Sequence, residues 1–460
     1  MAVTLFQNPG PYNLVHGPNA VTLSNLGAAD KYVLQLWDTV GPTKFADIRQ
    51  NANIAGSAQF DIQNLLEVFT SPSMEGIESI DKFTGSAPET FKYNIKYGSE
   101  TDGVVTIDGT VGFFIALNGR KEYYEVEWNE TPWRTQVSTD GESPCTQIDI
   151  QGLALTDWSY YKLGSQITDG KPSSILNTDK VYIQKVRPSD NFTISYLQSL
   201  VYGSSAPLYA VGLEALRFDF YNEAGVKLTD IVMENIIANG GGPNTAIGDG
   251  TGVDSPYLVV TGGVGPNNTY VNTYMPVGTH HYYVSAPVWN DPLCAGDYDE
   301  LTDRSGWVVY RFDLIDDACN DFTPIQFSWM NSYGFRDYFQ FQKRNERSVN
   351  ITRNDFLKEN NDYSTLAFNV TPGSRGYTTY SQKLEQVWTA QTRFVEDYEA
   401  QFLENLFISP DVRVRFGDDT QWYPVTLLST QYVERNYRKD KLFQYDIEFK
   451  MANNKLSQRG

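Results

Sequence analysis

The sequence predicts a mainly β chain of several sandwich- or barrel-like domains, with one amphipathic helix in the C-terminal domain. Three observations carry that expectation: short runs in which large apolar and polar residues alternate, turn residues between the runs, and helical spacing in only two places. Phe91-Lys92-Tyr93-Asn94-Ile95-Lys96-Tyr97 alternates strictly. Period two puts its four rings and aliphatic groups on one face of a strand, the pattern of a half-buried sheet. Val111, Phe113, Ile115 and Leu117 repeat the pattern, as do Phe192, Ile194 and Tyr196. Val308, Tyr310, Phe312 and Leu314 form a further run, and Phe443, Tyr445, Ile447 and Phe449 close the series. Asp108-Gly109, Asn118-Gly119 and Glu223-Ala224-Gly225 fall between such runs and read as reversals, because Gly accepts the positive φ that tight turns require. Many short strands with frequent turns are the signature of sandwiches and barrels.

The helical stretches are 61–69 and about 392–408. Ile62, Leu65, Leu66 and Phe69 make an i, i+3, i+4, i+7 stripe with Asp61 placed to cap it. Val395, Tyr398, Phe402, Leu403 and Leu406 form one face of the longer helix, with Glu396, Asp397, Glu399 and Glu404 on or near the other. Ser409-Pro410 ends it, since Pro cannot continue a helix.

At 460 residues the chain exceeds one ordinary core. A polar stretch over 136–143 marks a break near 150, giving an N-terminal β domain over 1–150. A middle β domain over 151–295 carries a Gly-, Pro- and Asn-rich loop at 239–268, and a C-terminal β domain over 296–460 holds the helix.

Composition narrows the function classes. The chain has 30 Tyr, 25 Phe and 9 Trp, more aromatic surface than a disordered chain carries and the type enriched at protein contacts. Its formal net charge is -20, the wrong sign for phosphate neutralisation, and no nucleic-acid binding is expected. The densest basic cluster (Arg435, Arg438, Lys439, Lys441) reads as a solvated hairpin loop. Copies this acidic are expected to repel one another at low ionic strength, so net charge alone predicts that moderate salt favours association. No run of about 18 apolar residues exists, and no membrane insertion is expected. Cys145, Cys294 and Cys319 are odd in number and widely spaced, which fits a reduced compartment rather than a disulfide framework or a zinc site.

No catalytic, cofactor-binding or metal-binding residue is assigned, and the chain reads as a non-enzyme without cofactors. Asp249-Gly-Thr-Gly-Val-Asp254 lacks the Lys-Ser/Thr of a phosphate loop. Asp297, Asp299 and Asp303 resemble half a calcium loop, but Leu301 occupies a ligand position and no Glu closes it. The histidines are His16, His280 and His281, and the adjacent pair is expected to point to opposite faces of a strand. Carboxyl pairs such as Asp316-Asp317 and Asp418-Asp419 are the by-product of an acidic chain. No Gly-x-Ser-x-Gly elbow is present.

The last third carries an ordered series of motifs. Cys319 and Phe322-Thr323-Pro324 lead into Ile325, Phe327 and Trp329 on one strand face; Asn331 to Gly334 reverses the chain, and Asp337 and Phe339 follow. Phe394-Val395-Glu396-Asp397-Tyr398 opens the helix, and Tyr445-Asp446-Ile447-Glu448-Phe449 with Ala452-Asn453 closes the series. This order resembles structural (tail or neck) proteins of tailed bacteriophages from aquatic and gut bacteria, including crAss-like phages. A looser echo lies in Tyr32–Trp37, Asn53 and Ala58–Ile62. The resemblance implies a virion structural role as a ring-forming tail, neck or baseplate component, assembled in the bacterial host cytoplasm. The implied partners are further copies of the chain and other tail or neck proteins. The alternative is a receptor- or glycan-binding fibre or adaptor protein, whose tip would be the 239–268 loop.

Overall fold

A computed structural model describes residues 2–120, 183–234, 259–285, 308–315, 322–358, 376–429 and 444–459 apart from short stretches within them, together with small pieces between 153 and 172. The chain is mainly β, with several sheets and few helices. Its contacts divide it into two compact units: residues 1–316 with 330–337, and residues 317–329 with 338–460. This division differs from boundaries near 150 and 296, because strand pairing crosses both. Phe83–Ser86 pairs with Val259–Gly263, and His281–Ser285 pairs with Val308–Leu314.

In the first unit, one sandwich pairs a five-stranded sheet with a three-stranded one. The larger sheet runs Tyr12–His16, Val104–Arg120, Thr90–Thr101, Lys31–Asp38, Lys44–Gln50. The smaller runs Thr4–Gln7, Ala20–Ser24, Ser57–Asp61. Leu34, Leu36, Tyr93, Ile95 and Phe114 from one sheet meet Val21, Leu23 and Phe60 from the other in a common core. The alternation read at 91–97 is thus the inward face of this sandwich. The reversal before the 104–120 strand occurs at Asp102-Gly103, with φ of 51° and 79°, and not at Asp108-Gly109, which lies inside the strand. Both dipeptides have turn chemistry; cross-strand pairing from Thr101↔Val104 outward selects the first. Asn118-Gly119 also lies within that strand.

Two more sheets of the first unit are built from later residues. One is ordered Leu153–Ala154, Thr193–Leu197, Val259–Gly263, Phe83–Ser86. The other contains Val308–Leu314, His281–Ser285, Ala215–Tyr221 and Lys227–Glu234 as consecutive neighbours. Phe192, beside the Thr193–Leu197 strand, meets Phe312 of the other sheet edge-on at 5.7 Å, and within that sheet Tyr282 stacks on Phe312 at 4.9 Å. Val259–Gly263 corrects the expectation of a loop throughout 239–268. Val259 and Thr261 are fully buried, and strand pairing on both sides outweighs the glycines that flank them. Residues 235–258, including Asp249–Asp254, lie outside the described residues.

Among the described residues, the second unit forms an eight-stranded sheet. Its path is Arg336–Phe341, Ile325–Met330, Val412–Phe416, Tyr423–Leu427, Asp446–Met451, Tyr377–Gln391, Asn345–Leu357, with Leu456–Arg459 also pairing on the 377–391 strand. The helix Asp397–Ile408 packs on this sheet, Phe402 lying 5.1 Å from Trp329 between ring centroids. It starts at Asp397 rather than near 392, because Thr392 is engaged at the entry to the Asp446–Met451 strand, accepting from the Tyr445 amide at 2.9 Å. Val395, Phe402, Leu403 and Leu406 are buried as the stripe predicts. Glu399 is not on a solvated face: it is buried and paired with the Arg393 guanidinium at 3.0 Å. The helix expected over 61–69 is a single turn, Gln63–Leu66, with Asp61 Oδ1 accepting from the Gln63 amide at 3.0 Å. A further short helix, Thr269–Tyr274, was not legible as a stripe.

Candidate functional site

The residues singled out for chemistry disperse. Asp419 lies on the surface, where the Gln421 amide and the Tyr423 hydroxyl hold its carboxyl below the usual range. His16 lies between Glu67 (3.3 Å) and the side chain of Asn118 (3.2 Å). His280 and His281 do not point apart as expected. His280 precedes the strand that begins at His281, so strand geometry does not govern it, and the two Nδ1 atoms lie 3.4 Å from each other. Among the described residues, no group of three or more His, Cys, Asp or Glu is placed to hold a metal ion. Asp297, Asp299, Asp303, Asp316, Asp317, the three cysteines and the 435–441 basic cluster lie outside the described residues.

What the fold does assemble is a joint within the first unit, built from the Asn331–Asp337 turn. Asn331 Oδ1 accepts from the amides of Tyr333 (3.1 Å) and Phe335 (2.9 Å), and the Asn331 amide donates to the Phe335 carbonyl at 2.7 Å. Asn suits this position because its side chain supplies the acceptor that a tight reversal leaves unfilled. Gly334 has φ +89°, and a Cβ there would fall 1.9 Å from the Asn118 carbonyl oxygen. From the other side, a Cβ on Gly119 would fall 2.6 Å from the Ser332 carbonyl oxygen. The two glycines let backbone pack directly on backbone, and the Arg120 amide donates to the Ser332 carbonyl at 2.7 Å.

Two carboxyls complete the joint. Asp157 accepts from the Ser332 amide at 2.9 Å and from the Ser332 hydroxyl. Asp337 accepts from the Asp157 amide at 2.9 Å and from the Thr156 hydroxyl. Burial first, and then the neighbouring Asp157 charge, push the Asp337 carboxyl up to about 8. An unfolded aspartate titrates at about 4. Between those values the folded state binds more protons than the unfolded one, so stability falls as pH rises across that window and is flat below it. Denaturation at pH 5 and pH 8 is expected to show this loss in the wild type and much less of it in Asp337→Asn. The Thr156 hydroxyl can rotate to accept from the new amide. Parallel pH curves for the two proteins would contradict the assignment.

The arrangement therefore holds and orients chain segments. Asn331, Gly334 and Asp337 stand out in the sequence as motif residues, and their placement accounts for them structurally. Thr156 and Asp157 were missed, since a Thr-Asp dipeptide carries no periodic signal, and Gly119 was read as a turn.

No family model matches the chain, and no curated protein matches it. Among solved structures, it is similar to the fibronectin(III)-like modules of Clostridium thermocellum CbhA, at 7% identity over 68% of this chain and 93% of that one, with a TM-score of 0.15. A superposition of that quality carries no argument about this chain's function. No described helix is long and apolar enough to cross a membrane.

Proposed function

We propose that the chain is a non-enzymatic structural subunit of a tailed-bacteriophage particle, a ring-forming component of the tail, neck or baseplate that acts through contacts with its own copies and with neighbouring particle proteins. The observation that carries this reading is the use made of the motif residues. Asn331, Gly334 and Asp337 build a buried joint, while Val395 and the Ile447 and Phe449 pair fill the core of the second unit. A motif series spent on holding a shape supports a scaffold role, whereas catalysis needs groups converging on an open cleft. The acidic, aromatic-rich composition supports the same reading.

Mass spectrometry of purified particles from the phage that encodes the chain tests the proposal. Its peptides are expected in the particle fraction at a constant ratio to the known tail proteins. Recovery only from the free lysate, with none in particles, would overturn the assignment.

A further inference from the structure

The strand Asn345–Leu357 is an exception to the half-buried pattern. All residues from Glu346 to Leu357 are exposed, on both faces of the strand. It forms one edge of the second unit's sheet, with Tyr377–Gln391 as its only strand neighbour among the described residues. The inner strand gains support on its far side from Asp446–Met451 and Leu456–Arg459, but only over Ser381–Gln391. Beyond that, Tyr377–Tyr380 and Asp355–Leu357 continue as a ribbon of two strands with no further strand neighbour among the described residues. Such a ribbon is marginal by itself in water, and a long unpaired edge invites another chain.

Composition indicates which chain. On one face of this arm the paired residues are Arg347↔Trp388, Val349↔Gln386, Ile351↔Leu384 and Arg353↔Gln382. Val349 and Ile351 are 44% and 52% exposed, giving an apolar strip bracketed by two guanidinium groups. Arg347 lies over the Trp388 ring at 5.7 Å, and Arg353 has no ion pair among the described residues. Over the two strands as a whole Arg347, Arg353 and Lys383 are matched by Glu346, Asp355 and Glu385, but this face carries the two arginines and no Asp or Glu, in a chain of net charge -20. Two such faces placed together would repel; one against an acidic surface of another copy attracts.

We propose that this face of the strand pair 345–357 and 377–391 is the self-association surface, docking its Val349–Ile351 strip and the flanking arginines on an acidic surface of a second copy. The inference rests on the ring reading and deepens it. An arginine-flanked face meeting an acidic surface is a heterologous contact, the kind that passes from copy to copy and closes into a ring. It also reverses the salt dependence expected from net charge alone: screening weakens an attraction between opposite charges, so the oligomer should loosen as salt rises.

The test is sedimentation of the full chain beside the double variant Arg347→Glu, Arg353→Glu. The wild type is expected to associate, more weakly at high salt, and the variant to need at least about tenfold more protein for half-assembly. Circular dichroism should be unchanged, because both side chains are exposed. A photo-crosslinking residue at Ile351 in the otherwise native chain gives a second readout, with cross-links expected to an acidic segment of another copy. Wild-type assembly matched by the variant, or an Ile351 probe that never captures another copy, would overturn the arm while leaving the ring reading intact. Capture of added single-stranded DNA by the probe in place of a second copy would also overturn it. A wild type that stays monomeric throughout would remove the arm and the ring together.

Discussion

Gly334→Ala is expected to destabilise the first unit by about 3 kcal/mol or more, the sum of a left-handed backbone and a steric conflict. The residue holds φ +89°, and its Cβ would overlap the Asn118 carbonyl oxygen at 1.9 Å. No side-chain rotation relieves that conflict, because the atom in the way is backbone near the end of the Val104–Arg120 strand. Either the 331–334 turn retreats, breaking the bond from the Arg120 amide to the Ser332 carbonyl, or the strand end shifts and disturbs its pairing with Tyr12–His16. Gly278 is the matched control. It has the same φ of +89° with nothing within 4 Å of the added carbon, so Gly278→Ala pays for conformation alone, about 1 kcal/mol. Thermal unfolding of both variants, with hydrogen exchange at the Arg120 amide, separates the two costs. Equal losses for both would mean that the close approach at Asn118 does not constrain the joint.

Asp190→Ala is the second large effect, a loss of about 3–5 kcal/mol, the range for stranding one partner of a buried ion pair. The side chains of Arg187 and Asp190 are 2% and 0% exposed, and the guanidinium Nη2 donates to Asp190 Oδ1 at 3.0 Å. The carboxylate also accepts from the Arg187 amide at 2.9 Å, closing a turn whose far side is bound to Asn267, which donates to the Asp190 carbonyl at 3.0 Å. Removing the carboxylate takes this ion-pair partner from a guanidinium that is almost wholly buried. Arg187→Met combined with Asp190→Ala removes both charges and is expected to cost less than Asp190→Ala alone. Denaturant unfolding of the two variants measures the difference. A loss under about 1 kcal/mol for Asp190→Ala, the level of an exposed pair, would contradict the burial.

The alternating runs were legible because a half-buried strand repeats every two residues; 91–97 and 308–314 fall on strands, and all of 192–196 but Phe192 does. The signal fails where burial and pairing come from distant partners. Val259–Gly263 is rich in glycine and becomes a central strand because Thr193–Leu197 and Phe83–Ser86 flank it. Glu399 reads as a surface acid until Arg393, six residues earlier, is folded against it. The Arg187-Pro-Ser-Asp190 segment looks like a solvated turn, and only the sheets packed around it make it a buried ion pair. The exposed arm was missed for the opposite reason. Its composition is that of a loop, and only Val349-Asn350-Ile351 hints at a strand. The Asn331, Gly334 and Asp337 spacing was legible as a motif, but its partners at 118–120 and 156–157 lie far away in sequence and carry no pattern of their own.

The proposed self-assembly is tested most directly by the native mass of the purified protein over a concentration series. A single closed oligomer is expected to appear with rising concentration, with a mass that is an integer multiple of 52.0 kDa and no continuing ladder beyond it. A strict monomer at every concentration and salt would contradict it.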